Sequence, residues 1–367
     1  VSIFAVVFSA LLLTILTVGF IRLIVSAQQR AINNDLSQSA YDAALAGVED
    51  AKRAVRSCLR GNAAVCAELD APADCRVVAR TGVEGSEGDP ETMIQSGGGS
   101  ESAAFDQAYT CVNIAMQSPD FRTELAVEGV GIIPLRAADS FDTIVIEWFV
   151  PDDAPQGTLL ATVSTQDDDR LPQVEAWGQA TPPLMRAQLI TPGSSFTADE
   201  LDDSDASRTV FLRPLSMTEG ATGLNSTVVV PLGDYNRATD GEARTNRPRT
   251  LTCSSTFQNN GHSCLARLQI GSTVSPAESA TALLRLNTVY NKATVRVTLY
   301  NGSDLVYFDG VQPVVDSTGR ANNLFRRVEA RLAIGDDVPL PSRVVDVVNN
   351  LCKDFSVGSS GAQAGSC

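Results

Sequence analysis

The apolar stretch VSIFAVVFSALLLTILTVGFIRLIV (residues 1–25) decides how the rest of this chain is organised. It contains no charged residue before Arg22. An uninterrupted apolar run of about 19 residues can cross a bilayer as a helix of roughly 30 Å. We therefore predict an apolar helix here, and we place its weak points, where it would melt or stretch, at Thr14, Thr17 and Gly19.

Three interpretations of this stretch are open: a cleaved secretory signal, a membrane anchor, or a mature N-terminus exposed by removal of a basic leader. A signal needs a basic segment before its apolar run and is absent from the mature protein. An ordinary anchor has its basic flank on the cytoplasmic side, whereas Arg22 and Arg30 follow the run. We favour the third interpretation, with cleavage directly before Val1, and keep the plain anchor as its alternative.

Residues 26–60 continue the helix in amphipathic form. They contain no Pro, and apolar or small side chains recur every three or four positions, which indicates one stripe along a helix. The whole element, residues 1–60, would be roughly 90 Å long. Only its second half can be covered by a globular head, so the first half must be buried in lipid or among identical helices. The stripe consists of Ile32, Leu36, Ala40, Ala44, Val48, Ala51 and Val55.

This layout of an apolar N-terminal helix with an amphipathic continuation resembles the type IV pilins and pseudopilins. The resemblance implies a helix that lies in the membrane before assembly and in the filament core afterwards. It also implies a leader peptidase, whose action a methylated Val1 amine would indicate. The expected core positions of the helix are Val1, Phe4, Phe8, Leu12, Ile15 and Ile21.

The chain departs from the pilin pattern at one informative position. Pilins usually have a Glu where this chain has Ala5, and that carboxylate is thought to pair with the N-terminal amine of a neighbouring subunit. Here the first acidic residue is Asp35. The departure favours a minor or tip subunit over a major polymerising one.

Charge limits the partners of the head. The net charge of the 367 residues is −15, and the first 60 contain six basic and four acidic residues, so residues 61–367 carry −17. An acidic surface of this kind does not support general nucleic-acid binding. It is compatible with divalent cations or with a basic partner surface.

Eight cysteines and a single histidine argue against a zinc site and for disulfides in an oxidising, extracytoplasmic compartment. Spacing favours Cys253–Cys264 and Cys352–Cys367 as local loops. The other four are expected to pair among themselves, as Cys66–Cys75 and Cys58–Cys111. The last loop resembles the disulfide-closed C-terminal region of many pilins, and a simple staple on the chain end is the alternative.

The head reads as a series of strands, so the predicted fold is α+β: a long N-terminal helix (about 1–60) carrying a large antiparallel β-rich head. We divide the head into 61–245 and 246–367. We also predict a hairpin around the Cys253–Cys264 loop, a meander over 281–308 and a short helix at 344–350. The predicted strands are 76–80, 108–116, 124–135, 143–150, 184–190, 208–212, 227–232, 251–254, 263–270, 281–290, 293–300, 305–308 and 324–334.

No pattern for catalysis or for a cofactor is present, and we predict a protein that is not an enzyme. The chain has no P-loop, GxGxxG, HExxH or GxSxG. His262 precedes Ser263 and Cys264, but the loop context and an oxidised Cys264 argue for a surface residue. The acidic clusters lack EF-hand spacing, so we interpret them as solvated loops with no metal. The clusters are Asp167 to Asp169, and Asp199, Asp202, Asp203 and Asp205; the sequons at Asn225 and Asn301 are interpreted as turns.

These observations predict a structural subunit of an extracellular, pilus-like filament on the bacterial cell surface, acting in adhesion, twitching motility or surface contact. Its partners would be further copies of itself, the pilus assembly machinery, the membrane before assembly, and a host or other surface. The alternatives are a minor or tip pseudopilin of a type II secretion-like system and a membrane-anchored binding protein that does not polymerise. A further alternative is a membrane-anchored enzyme that uses an unrecognised pair of acidic residues.

Overall fold

The computed structural model describes a long helix and a β-rich head, which together form an α+β fold. The described residues are 2–71, 74–82, 92–94, 107–149, 174, 177, 181–191, 206–218, 228–235, 248–254, 264–333, 355–358 and 361–364. The sheets are mostly antiparallel, but two strand pairs are parallel, so the head is mixed rather than purely antiparallel.

Helix α1 (Ser2–Leu59) is continuous, including the three positions predicted as weak. The hydroxyl of Thr14 donates to the carbonyl of Leu11 at 2.8 Å, and that of Thr17 donates to the carbonyl of Leu13 at 2.6 Å. These bonds satisfy both hydroxyls within the helix itself, where they leave the backbone ladder intact.

Two short helices follow α1. The chain turns at Gly61, whose φ is +96°, and α2 (Ala63–Leu69) begins after Asn62, whose side chain accepts a hydrogen bond from the Val65 amide. Helix α3 (Val77–Arg80) occupies the segment predicted as a strand at 76–80. That prediction was wrong because a single turn with two buried valines has the same composition as a short strand.

The described part of the head contains three larger sheets and one two-stranded ribbon. The helix-facing sheet has the order β1–β2–β14–β15, and the central sheet has the order β13–β12–β5–β10–β8, with β3 also paired to β12. The outer sheet has the order β4–β11–β6–β7–β9, and the ribbon is β16–β17. The strands are β1 (Thr92–Met93), β2 (Gln107–Ser118), β3 (Phe121–Leu125), β4 (Val130–Pro134), β5 (Phe141–Phe149), β6 (Leu184–Ile190), β7 (Ser207–Thr218), β8 (Val228–Pro231), β9 (Arg249–Ser254), β10 (Cys264–Val274), β11 (Leu283–Val289), β12 (Ala293–Asn301), β13 (Asp304–Val306), β14 (Phe308–Ala321), β15 (Leu324–Arg331), β16 (Phe355–Gly358) and β17 (Gly361–Ala364).

The largest core lies between the central and outer sheets. Ile144 and Trp148 of the central sheet and Leu189 and Leu284 of the outer sheet belong to one buried apolar cluster. Alternation along each strand puts these side chains on the inner faces, as in other sheet-on-sheet packings. A second core lies between α1 and the helix-facing sheet.

Strand pairing differs from the local pairing that the sequence predicts. β9 and β10 belong to the outer and central sheets, so the predicted hairpin around Cys253–Cys264 is absent from the described residues. β11 and β12 likewise lie in different sheets, which leaves only β12–β13 of the predicted meander. Each larger sheet takes strands from both sides of residue 246, so our division there does not follow the sheets. The predicted helix 344–350 lies outside the described residues.

Three disulfides join described residues. Cys253 pairs with Cys264, as its spacing indicates, and this bond links the outer sheet to the central sheet. Cys58 pairs with Cys66, and Cys75 pairs with Cys111, in place of the predicted Cys66–Cys75 and Cys58–Cys111. The pair Cys352–Cys367 lies outside the described residues.

Local structure explains the corrected pairing. The turn after α1 folds α2 back against the helix end, and this brings the Cα atoms of Cys58 and Cys66 to 4.8 Å. The chain at Cys75 lies beside β2, where its carbonyl accepts the Val112 amide at 3.1 Å. Cys111 is therefore the nearest partner for Cys75, with a Cα separation of 4.3 Å.

Candidate functional site: the projecting half of the N-terminal helix

The first half of α1 carries an apolar surface that its own chain does not cover. Every large apolar side chain from Ile3 to Val25 is exposed, from 45% at Val25 to 84% at Phe4. We call this region the projecting segment. Contiguous exposed apolar surface of this size marks a membrane or protein interaction site.

The structure places five of the six predicted core positions on the projecting segment, and Val1 lies outside the described residues. Four of these side chains share one face of the helix, but Val6, Leu13 and Phe20 lie on the other side. The segment is therefore apolar around its circumference rather than along one stripe. A helix of this kind is stable only when lipid or other helices surround it. The five are Phe4, Phe8, Leu12, Ile15 and Ile21.

The head reaches the helix near Ser37. The Ser37 hydroxyl accepts a hydrogen bond from Nε of Arg326 on β15 at 2.8 Å, and Ala40 is the first fully buried residue of α1. Residues 3–36 therefore project beyond this contact, a length of about 50 Å at 1.5 Å per residue.

The second half of α1 is held against the sheet by residues without bulk. Gly47 lies so close to β14 that an added Cβ would be 2.4 Å from the Ser317 hydroxyl. A Cβ at Gly319 would be 2.2 Å from the carbonyl oxygen of Ala40. Small residues permit this backbone approach, and it fixes the direction in which the projecting segment leaves the head. The buried face of the helix consists of Ala40, Ala43, Ala44, Val48, Ala51, Ala54 and Val55.

The predicted small-residue stripe of α1 thus has a counterpart that sequence reasoning missed. On β14 the helix-facing positions decrease in size from Val315 through Ser317 to Gly319. Small residues at every second position are the signal that could have identified this strand. Pro313 and the glycines in the segment obscured it, because both residue types are typical of loops.

A polar cavity of about 290 Å³ lies beside the Cys75–Cys111 disulfide, but its carboxylates already have partners. Asp74 is bound by Arg80, and Asp316 is bound by Arg327. The Arg76 amide and the Arg80 guanidinium hold the pKa of Asp74 below its usual value. Across the described residues, no group of three His, Cys, Asp or Glu side chains is arranged to hold a metal ion.

One buried charge of the head, Glu147, is paired across strands. Glu147 on β5 accepts both Nε and Nη2 of Arg296 on β12, at 2.6 and 2.7 Å. Bidentate pairs of this kind fix strand register. His262, the two acidic clusters and Asn225 lie outside the described residues, whereas Asn301 begins the β12–β13 turn with Gly302.

Comparison of the chain with protein-family models, curated proteins and solved structures finds no match. Among the described residues, α1 is the one helix long and apolar enough to cross a membrane. An apolar N-terminal helix indicates a membrane anchor or a signal sequence, and the disulfides indicate an extracellular location.

Proposed function

We propose that this protein is a structural subunit of an extracellular, type IV pilus-like filament. The projecting segment carries the proposal, because about 35 Å of apolar helix (residues 3–25) stands clear of the head and needs a surrounding apolar medium. The disulfides add support, since they favour a head outside the cytoplasm.

Assembly in this proposal keeps the apolar surface away from water at every stage. The projecting segment first resides in lipid while the acidic head stays outside the membrane. Polymerisation then transfers the segment from lipid into a bundle of identical helices, so little free energy of apolar transfer is lost. Packing between helices and between heads supplies the net attraction. The fibre would act in adhesion, motility or surface contact.

One observation favours a second role, as a minor or tip subunit. No Asp or Glu occurs before Asp35, so the apolar half offers no carboxylate to a neighbouring amine. A subunit that lies at the end of a fibre needs fewer such contacts than one repeated along it. A membrane-anchored binding protein that does not polymerise is the remaining alternative.

Cryo-electron microscopy of fibres sheared from the native cell surface tests these roles. We expect the head to repeat along the fibre with α1 at its centre. A head found only at fibre ends would support the tip role. Fibres without this chain, in cells whose membranes contain it, would contradict the filament proposal and leave the anchor.

A further inference from the structure

The outer sheet turns one side toward the core and the other side away from it. Along β6 and β11, fully buried residues alternate with partly exposed ones. Ala187 and Leu284 belong to the core cluster between the sheets. Because side chains alternate across a strand, the neighbouring Arg186 and Arg285 lie on the side that faces away from the core.

Strand register defines a polar patch in the middle of this side. Two adjacent rows of side chains cross β7, β6 and β11, and β4 continues both rows with apolar residues. All six side chains are partly exposed, and none is acidic. We call these two rows the arginine face. The first row is Phe211, Arg186 and Asn287, and the second row is Thr209, Gln188 and Arg285.

Two guanidinium groups are neighbours on the arginine face. Arg186 lies opposite Asn287, and Arg285 is two residues from Asn287 on the same strand. The two arginines are therefore diagonal neighbours, with Cα atoms about 7–8 Å apart. Nη1 of Arg285 donates to Oε1 of Gln188 at 3.4 Å, and the guanidinium of Arg186 lies 5.8 Å from the centre of the Phe211 ring. Groups of the face itself thus orient both arginines.

The charge of Arg186 lacks a counter-ion. Within the described part of the chain, Arg186 forms no ion pair, and its buried Nε has no hydrogen-bond partner. Burial and the nearby charge of Arg285 lower the pKa of Arg186 from its ordinary value. An unmet buried donor and two adjacent like charges both cost stability. An anion bound between the arginines would relieve both costs.

We propose that the arginine face binds the carboxylate groups of an acidic polysaccharide. The planar guanidinium group matches a carboxylate through two parallel hydrogen bonds. The partly exposed hydroxyl of Thr209 is available to a sugar hydroxyl beside them. The site is an open sheet face about 10 Å across three strands, which suits an extended polymer better than a small ligand enclosed in a pocket.

The charge of the rest of the head selects among anionic polymers. Residues 61–367 carry a net charge of −17, so the surroundings of the arginine face repel anions. Duplex DNA carries one charge per about 1.7 Å of its axis, and most of its phosphates would lie over acidic surface. A polysaccharide with one carboxylate per repeat can place that group at the arginines and neutral sugar rings elsewhere.

This inference goes beyond the proposed function and does not depend on polymerisation. The arginine face lies on the head, so it serves a filament subunit and a membrane-anchored binding protein equally. In a filament it would provide the contact with other surfaces that adhesion requires.

Binding of the full chain, held in nanodiscs of neutral lipid, to immobilised polygalacturonate tests the proposal. The methyl ester of the same polymer is the matched probe, because it keeps the sugar backbone and removes the charge. We expect binding to the acid but not to the ester, and weaker binding as salt is added. Arg186→Met/Arg285→Met keeps the apolar stems and should lower affinity at least about tenfold, since hydrogen bonds to charged groups are lost.

Arg267→Met is the matched control variant. Arg267 is also partly exposed and lies 5.2 Å from the centre of an aromatic ring, that of Tyr300. It is on β10, on the side of the central sheet that faces away from the outer sheet. This variant should bind like the wild type. Arg186→Lys/Arg285→Lys should bind with intermediate affinity, because it keeps the charges but loses the bidentate geometry.

A purely structural role for the arginines gives a different result. Arginine stems also cover apolar surface, and in that case Arg186→Met/Arg285→Met would bind polygalacturonate like the wild type. That outcome, or equal binding of wild type to acid and ester, would overturn the proposal. Tighter binding to a single-stranded DNA oligonucleotide would make nucleic acid the partner and would overturn it too.

The chain's own acidic segment is the remaining competitor for the arginine face. If the wild type binds no polymer and Asp202→Asn/Asp203→Asn/Asp205→Asn does, that segment occupies the face and the proposal fails. Filament yield is scored separately. Normal filaments of Arg186→Met/Arg285→Met that no longer retain polygalacturonate would support the inference, whereas wild-type cells without filaments of this chain would contradict only the proposed function.

Discussion

At the scale of single residues, Gly319 determines how closely α1 approaches the head. A Cβ there would lie 2.2 Å from the Ala40 carbonyl oxygen and 2.3 Å from the Ala44 amide nitrogen, and neither backbone atom can move alone. We expect Gly319→Ala to lower the free energy of unfolding by about 1–3 kcal/mol through overpacking. Thermal unfolding in detergent, followed by circular dichroism, measures this.

Gly233→Ala is the matched control for Gly319→Ala. No atom lies within 4 Å of a Cβ built at Gly233. Its melting temperature should stay close to that of the wild type. Equal losses from both variants would mean that the helix–sheet approach is not the source of the effect.

Asp120 is the residue whose charge links two sheets. It lies between β2 and β3, and its carboxylate contacts Nε of Arg122 at 2.7 Å and Nη1 of Arg331 at 2.8 Å. Burial alone would raise its pKa, but the two guanidinium groups outweigh burial and hold the pKa below its usual value. We expect Asp120→Asn to cost about 2 kcal/mol of stability at pH 7.

The stability lost in Asp120→Asn should depend on pH. A folded-state pKa below the unfolded value of about 3.9 provides stability at higher pH, and this stability is lost as the pH falls through the folded pKa. The gap between wild type and Asp120→Asn should therefore narrow in denaturant titrations below about pH 4. Asp316→Asn, which breaks the more exposed pair with Arg327, serves as control and should lower stability much less than Asp120→Asn does.

At the scale of elements, the sequence predicted what depends on local pattern. The 3.6-residue stripe identified α1, and short apolar runs identified β5 and β6 within two residues of their observed bounds. β14 was missed because its small residues are explained only by close contact with α1, which the local sequence does not show. Strand partners were missed for a related reason. β9 and β10 flank a short disulfide loop, yet they belong to different sheets. Which distant strand each one pairs with leaves no periodic pattern in the local sequence.

Disulfide removal tests the observed connectivity at this scale. Cys58–Cys66 spans 8 residues and Cys75–Cys111 spans 36. Loop entropy gives a cost of about 2–3 kcal/mol for paired Ala replacement of the first and about 4 kcal/mol for the second. Chemical denaturation of the two double variants measures the difference. Non-reducing peptide maps that join Cys66 to Cys75 would contradict the connectivity itself.

At the scale of the whole molecule, the head and the projecting segment differ in what buries their apolar surface. The head and the second half of α1 bury apolar side chains in shared cores, so their stability is a property of one chain. The projecting segment buries nothing internally, so its stability depends on lipid or on other copies. The sequence predicted this division because hydropathy needs no tertiary context.

A single acidic substitution at the middle of the apolar run should disable the projecting segment without harming the head. An Asp at the centre of a membrane helix costs about 3 kcal/mol on insertion scales, so Leu12→Asp should reduce the fraction of full-length chain that floats with vesicles. Val127→Asp is the control, because Val127 is 58% exposed on a turn of the head and has no role in insertion. If both variants float like wild type, the projecting segment does not enter lipid, and the membrane stage of assembly fails. If Leu12→Asp alone fails to float while its head retains the wild-type melting temperature, the apolar helix acts independently of the head. Its apolar surface then needs lipid or other copies of the chain to be buried.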